Sequence, residues 1–180
     1  MNRRHLLFAL LALAGSAFVR PQPAAGTRSV AAVVDEMING PEKDLLGVAE
    51  TMPDDAYEFA PTNGNFRGVR NFAKQVKHAA AVNNLVAATI LGEKISADLA
   101  DERGPDSLTT KADIVKYARD SFAHLRRAAS KVDGRNAFVA FGQDGGTRMG
   151  MIATAISHAS NHYGQLVEYL RMKGLAPPQG

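Results

Sequence analysis

Apolar residues recur at three- and four-residue intervals over four long stretches of this chain, separated by polar or Gly/Pro-rich breaks. The first stretch, about Ser29 to Met52, carries Val30, Val33, Val34, Met37 and Ile38, then Leu45, Leu46, Val48 and Ala49. Asn39-Gly40-Pro41 interrupts it. Proline suits a first helical turn and disrupts an interior one, so the stretch is either a kinked helix or two pieces with a fresh start at Pro41. Pro53 ends it, and Asp54 to Phe66 reads as a loop, with Pro61 and Asn63-Gly64 as turn signals. The second stretch, about Val69 to Leu91, sets Phe72, Val76, Ala79, Ala80, Asn83 and Val86 along one face. Gly92 to Thr109 is a polar connection. Thr109 or Thr110 caps the third stretch, about Lys111 to Val132, whose apolar positions are Ile114, Val115, Ala118, Phe122 and Leu125. Asp133-Gly134 closes it, and Asn136 to Thr147 is glycine-rich and irregular. The fourth runs from about Met149 to Lys173, with Gly174 as its stop and Pro177-Pro178 beyond. No segment alternates convincingly as a strand does. Four long helices with linking loops predict an all-α four-helix bundle.

The first residues stand apart from this pattern. Arg3 and Arg4 precede an unbroken apolar run, Leu6 to Ala14, and the small residues Gly15, Ser16 and Ala17 follow. That is the layout of a secretory signal peptide, and the run is short for a membrane span, the alternative being a retained anchor. Arg3-Arg4 directly before His5-Leu6-Leu7 also resembles a twin-arginine export signal. Cleavage after Ala14 or Ala17 would leave Pro21 to Gly26 as a flexible lead-in. Residues 1–26 are therefore expected to be leader and lead-in, and residues 27–180 a single domain that is periplasmic or secreted. Membrane contact is expected only through the leader, during export.

Removing the leader changes the charge balance. The whole chain has 21 Lys+Arg and 18 Asp+Glu, and Arg3, Arg4 and Arg20 lie before the domain, which leaves 18 of each. No basic stripe with interleaved aromatics appears, so nucleic acid is not an expected partner. The chain has no cysteine, so stability rests on packing, and any transition-metal site must use nitrogen and oxygen ligands.

Histidines supply the candidate chemistry. His158 and His162 lie four apart in the fourth stretch, which puts both imidazoles on one helix face, ~40° and ~6 Å apart. A divalent cation can bridge two turns at that spacing. His78, in the second stretch, could add a third nitrogen from a facing helix. There is no Glu after His158, so this is not the helical zinc-protease motif. His124, beside Arg126 and Arg127, reads as a surface histidine. Tyr163 and Tyr169 read as packing residues, Gln165 as a hydrogen bonder across the bundle, and Arg171 as a cap on the last carbonyls. Asn83 lies about 140° round the helix from His78 and is not an obvious ligand.

The surrounding residues resemble a known family. His162-Tyr163-Gly164-Gln165-Leu166, then Tyr169-Leu170-Arg171, Gly174 and Pro177-Pro178, is similar to the last helix of the DinB-like superfamily. Met52-Pro53, Tyr57, Phe59, Pro61, Phe66 and Phe72, leading to His78-Ala79-Ala80 and Asn83, resembles that family's approach to its second helix, and Lys111 opening the third fits as well. The resemblance covers about Ser29 to Pro178. It implies an antiparallel four-helix bundle holding a metal through one histidine of the second helix and two of the fourth, here His78, His158 and His162. Where many members carry an acidic or amide residue beside the final helix's first histidine, this chain has Ser157 and Ala159.

Three neutral imidazoles leave a divalent ion, whether zinc, nickel or iron, with open positions. Two functions follow as expectations. One is a metal-dependent hydrolase or thiol S-transferase acting on a small molecule. The other is a non-catalytic bundle that binds a partner or pairs as a homodimer through its helix faces, with an incidental or structural metal.

Overall fold

In the computed structural model, which describes residues 26–142 and 145–178, side-chain caps set the start of every α-helix. Ser29 Oγ accepts from the Ala32 N–H and opens α1 (Val30–Thr51). Asn71 Oδ1 accepts from Lys74 and opens α2 (Phe72–Leu91). Ser96 opens the one-turn α3 (Ala97–Ala100), Thr110 opens α4 (Lys111–Ala129), and Thr147 opens α5 (Arg148–Met172). Each cap satisfies an N–H that the helix itself cannot. The expected leader and lead-in, residues 1–26, lie outside the described residues except for Gly26. Among those described, no helix is long and apolar enough to cross a membrane.

The structure differs from the sequence expectation at five points. The second helix begins at Phe72 rather than near Val69, because Asn71 caps it there. The third ends at Ala129, and its last turn tightens: Lys131 and Val132 donate to Ala128 and Ala129, three residues back. The polar connection 92–110 contains α3, and the glycine-rich segment pairs β1 (Ala140–Phe141) with β2 (Gly146–Thr147) as a minimal antiparallel hairpin. Val33 and Met37, expected in the apolar face of α1, are exposed, because the buried stripe runs through Val34, Ile38, Leu45, Val48 and Met52. Pro41 does not break α1. The N–H it lacks would have reached Met37, whose exposed position leaves the freed carbonyl open to solvent. Arg126 of α4 braces this region by donating to Asp35, Asn39 and Glu42.

Side-chain pairs fix the helix directions. Lys111, at the start of α4, reaches Glu50 near the end of α1, and Arg126 near the end of α4 reaches Asp35 near the start of α1, so these two run antiparallel. Tyr169 of α5 reaches Arg70, just before α2, and His158 reaches His78, so α2 and α5 are antiparallel too. Lys77 and Leu108 meet at one end of α2 and α4, and Glu93 and Arg127 at the other, so α2 and α4 run in the same direction. The bundle is thus two helices up and two down, with α1 and α2 each packed against α4 and α5. Phe72, Val76, Ala79, Ala80, Phe122, Leu125, Ile152, Ala155, Leu166 and Leu170 fill its interior.

The parallel α2–α4 pair has a consequence for the site. After α2, which is about 30 Å long, the chain must travel back along the bundle before α4 can begin. Residues 92–110 make that return, and their second half lies over the start of α2, where Lys77 Nζ donates to the carbonyls of Pro105 and Leu108. Gly104, at φ +69°, permits this approach. A Cβ there would stand 3.2 Å from Tyr117 and 3.3 Å from the Lys77 backbone oxygen.

Gly104→Ala should therefore cost more than Gly92→Ala, where φ is +70° but the surroundings are open. Left-handed backbone alone costs an alanine about 1 kcal/mol. Crowding at position 104 should raise the loss to about 2 kcal/mol or more. Urea unfolding of the two variants measures the difference. Equal losses would mean that the return segment does not press on α2.

Candidate metal centre

The start of α2 is held from three sides. The Phe72 and Ala73 N–H groups donate to the carbonyls of Phe59 and Tyr57, and Asn71 takes the Lys74 N–H. Tyr57, Phe59, Phe72 and Tyr169 pack edge to face or tilted beneath it, with ring centroids 5.1–6.4 Å apart. Tyr169 Oη also donates to the Arg70 carbonyl at 2.8 Å. The helix that carries His78 is thereby fixed against the helix that carries His158 and His162.

The structure brings all three expected histidines together. His158 Nε2 lies 3.1 Å from His78 Nε2 and 3.0 Å from His162 Nε2. The ring centroids are 4.2–4.8 Å apart, and one donor atom from each ring falls within a 4.8 Å span. His78 and His162 are buried, and His158 is half-buried. A tetrahedral ion with bonds of ~2.0–2.1 Å would hold its ligand nitrogens about 3.3–3.4 Å apart, so the two short spacings need only small rotations to fit one, and the widest pair has at most 4.8 Å to close from.

Groups outside the triad orient two of the rings. His78 Nδ1 lies 2.7 Å from the Glu102 carbonyl, which can only accept, so the proton sits on Nδ1 and the Nε2 lone pair faces the other histidines. Glu102 adopts a left-handed backbone at φ +53°, alone among the described non-glycine residues. A residue of this kind in that region stores about 1 kcal/mol or more, and here the turn aims the carbonyl at His78. The Glu102 carboxylate also lies 3.9 Å from His78 Nδ1.

On the opposite side, the Gln75 amide is 2.7 Å from His162 Nδ1. Gln75 Nε2 also donates to Gln165 Oε1, and Gln165 Nε2 donates to Asn161 Oδ1. Whichever end of its amide Gln75 turns toward His162 selects the tautomer. The NH2 end meets a bare Nδ1 and leaves the proton on Nε2. The oxygen end takes the Nδ1 proton and leaves Nε2 free, with the Gln165 and Asn161 amides turning in step. His158 Nδ1 is buried and has no partner among the described residues.

These surroundings disfavour protonation. Burial, followed by the charges of His158, His78 and Arg70, pushes the His162 pKa down to about 3. Burial and His78 also lower that of His158, with a smaller push from Arg70 and an opposing pull from Glu102. His158 and His162 are thereby favoured as neutral nitrogen donors, which is the state that metal coordination requires.

Other expectations fare differently. Gln165 does bond across the bundle, and Tyr169 packs in the core. Asn83 faces Ser121, away from the triad. His124 is not a free surface residue: it is part-buried and bridges Asn84 and Glu93. Arg171 pairs with Glu168 rather than capping carbonyls. Ser157 and Ser160 bond back to their own helix, so the groups that orient the rings come from Gln75 and Glu102 instead. Neither was expected. The Glu102 contact is a backbone carbonyl and carries no side-chain signature. Gln75 had one: it is a polar residue on the same face as His78, three positions earlier.

Comparison with known proteins gives three findings. A family model described as the DinB superfamily matches residues 41–166. A crystal structure of a DinB-like protein from Bacillus cereus ATCC 10987 is similar, with a TM-score of 0.62 and 17% identity, over 84% of this chain and 97% of that one. No curated protein matches.

Acid should destabilise the metal-free protein through His162. The unfolded residue takes up a proton near 6.5 and the folded one only near 3, so the unfolded chain holds more protons throughout that interval. The stability tied to a neutral His162 is full above pH 6.5 and is lost as pH falls toward 3. Denaturant midpoints measured in chelator should decline across this range, and His162→Gln should flatten the decline. An equally steep decline in the variant would place the acid sensitivity elsewhere.

Proposed function

This chain belongs to the DinB superfamily, and we propose that His78, His158 and His162 hold one divalent metal ion that serves a reaction on a small molecule. The observation that carries this reading is the meeting of three Nε2 atoms, from two helices, at 3.0 and 3.1 Å. Imidazole accepts zinc, nickel and iron alike, so the donor set leaves the metal open. Such an ion supplies Lewis acidity, toward water in a hydrolase or toward a thiol in an S-transferase.

The protein's own groups have separate tasks in this reading. The Glu102 carbonyl holds the His78 ring with its Nε2 inward. The Gln75 amide lies 2.7 Å from His162 Nδ1, and with its oxygen turned to that atom it would do the same for His162. The aromatic packing under α2 keeps the two helices in register. His158 is the least buried of the three. That partial exposure favours a reactive centre over a non-catalytic bundle with a sealed structural metal.

Metal should stabilise the fold, since the site exists only when α2 and α5 are packed. Zinc at a hundredfold excess over its dissociation constant adds about 2.7 kcal/mol, or roughly 5–10 °C in melting temperature for a domain of this size. His162→Ala should lose that gain while keeping its helical circular dichroism. The same zinc-induced rise in the variant would exclude His162 as a ligand.

Gln75→Leu should weaken zinc binding by about 10–100-fold, because His162 loses the group that sets its tautomer. Isothermal calorimetry on the folded variant reads this directly. Unchanged affinity would mean that Gln75 only fills space.

A further inference from the structure

A cleft of about 280 Å3 lies against the same end of α2 and is lined by Arg70, Lys74, Lys77, Arg103 and Asp106. Its walls belong to the elements that build the metal centre. Lys74 is one turn before His78 and Lys77 is adjacent to it. Arg103 follows Glu102, whose carbonyl holds the His78 ring. The charge of Arg70 reaches both His158 and His162.

The four cations are not equivalent. Lys77 Nζ donates to the carbonyls of Pro105 and Leu108. Arg103 is surrounded by Asp98, Asp101 and Asp106 at 3.2–3.6 Å. Arg70 and Lys74 have no side-chain hydrogen bond or ion pair among the described residues, although the Arg70 backbone is pinned by Tyr169. Two uncommitted positive charges on one wall repel each other, and an anion between them would relieve that repulsion. A pocket smaller than those of drug-sized ligands suits a small molecule.

We propose that Arg70 and Lys74 bind the carboxylate or phosphate group of a small anionic substrate and direct its reacting end to the three histidines. This deepens the metal reading and rests on it for the chemistry. The anion site itself is built by α2 and the segment before it. Arg70 opposes any cation at the triad, so an anion that neutralises Arg70 should also tighten metal binding, and metal should tighten anion binding by the same factor.

The test titrates the full chain by calorimetry with inorganic phosphate and, separately, with succinate. Both titrations are run at constant ionic strength, with and without one equivalent of zinc. At least one anion should bind saturably, and more tightly with zinc present. The better binder identifies the head group. The double variant Arg70→Gln, Lys74→Gln should weaken that binding by about tenfold or more, with its circular dichroism unchanged and its zinc uptake retained. Equal affinity in the variant, or no saturable binding of either anion by a wild-type chain that takes up zinc, would overturn the cleft proposal and leave the metal reading standing. Anion binding by a wild-type chain that takes up no zinc would uphold the cleft as an anion site and overturn the metal reading.

Discussion

Three ring nitrogens from two helices meet at 3.0 and 3.1 Å, and much of this bundle serves to hold them there. At these distances a neutral ring can donate its Nε2–H to a neighbour's bare Nε2, whereas two facing lone pairs repel. Free in water, the imidazoles would turn outward and hydrate. Here the Glu102 carbonyl holds the His78 proton on the far side of its ring, the Gln75 amide faces the far nitrogen of His162, and packing blocks rotation. A divalent cation could take all three inward nitrogens at once, which is why the arrangement reads as a candidate binding site.

The fold supplies that restraint through its topology. Because α2 and α4 run in the same direction, the chain between them must return along the bundle, and the return brings Glu102 over His78. Gly104 lets the segment come close enough, and Glu102 takes up a left-handed turn to aim its carbonyl. The antiparallel α2–α5 pair then sets His78 opposite two successive turns of α5. The same return segment closes one wall of the basic cleft through Arg103 and Asp106. One topological feature therefore positions His78, its orienting carbonyl and the neighbouring pocket.

The helices were legible in the sequence because apolar spacing and capping residues are local signals. The cap at Thr110, the stop at Gly174 and the His158–His162 pair all follow from nearest turns of one helix. The pairing of His78 with them was legible through family resemblance, since no local pattern says which helices face each other. What escaped was whatever depends on a distant partner. His124 looked exposed until Asn84 and Glu93 came to meet it. Pro41 left a choice between kink and break that was decided by an exposed Met37 carbonyl and by Arg126 reaching across from α4. The apolar positions Val33, Val34, Met37 and Ile38 could not by themselves reveal which of them the bundle would cover. Gln75 and Glu102 illustrate the same limit at the site: their importance lies in what they touch.

The central claim is that the three histidines are the ligands of a single metal ion. X-ray absorption at the zinc edge of the protein loaded with one equivalent tests it most directly. The account predicts three imidazole nitrogens at ~2.0–2.1 Å, with the outer-shell scattering of their rings, and one or two lighter ligands completing the shell. His158→Ala should lower the imidazole count to two. A zinc shell dominated by oxygen, or an imidazole count that His158→Ala leaves unchanged, would contradict it.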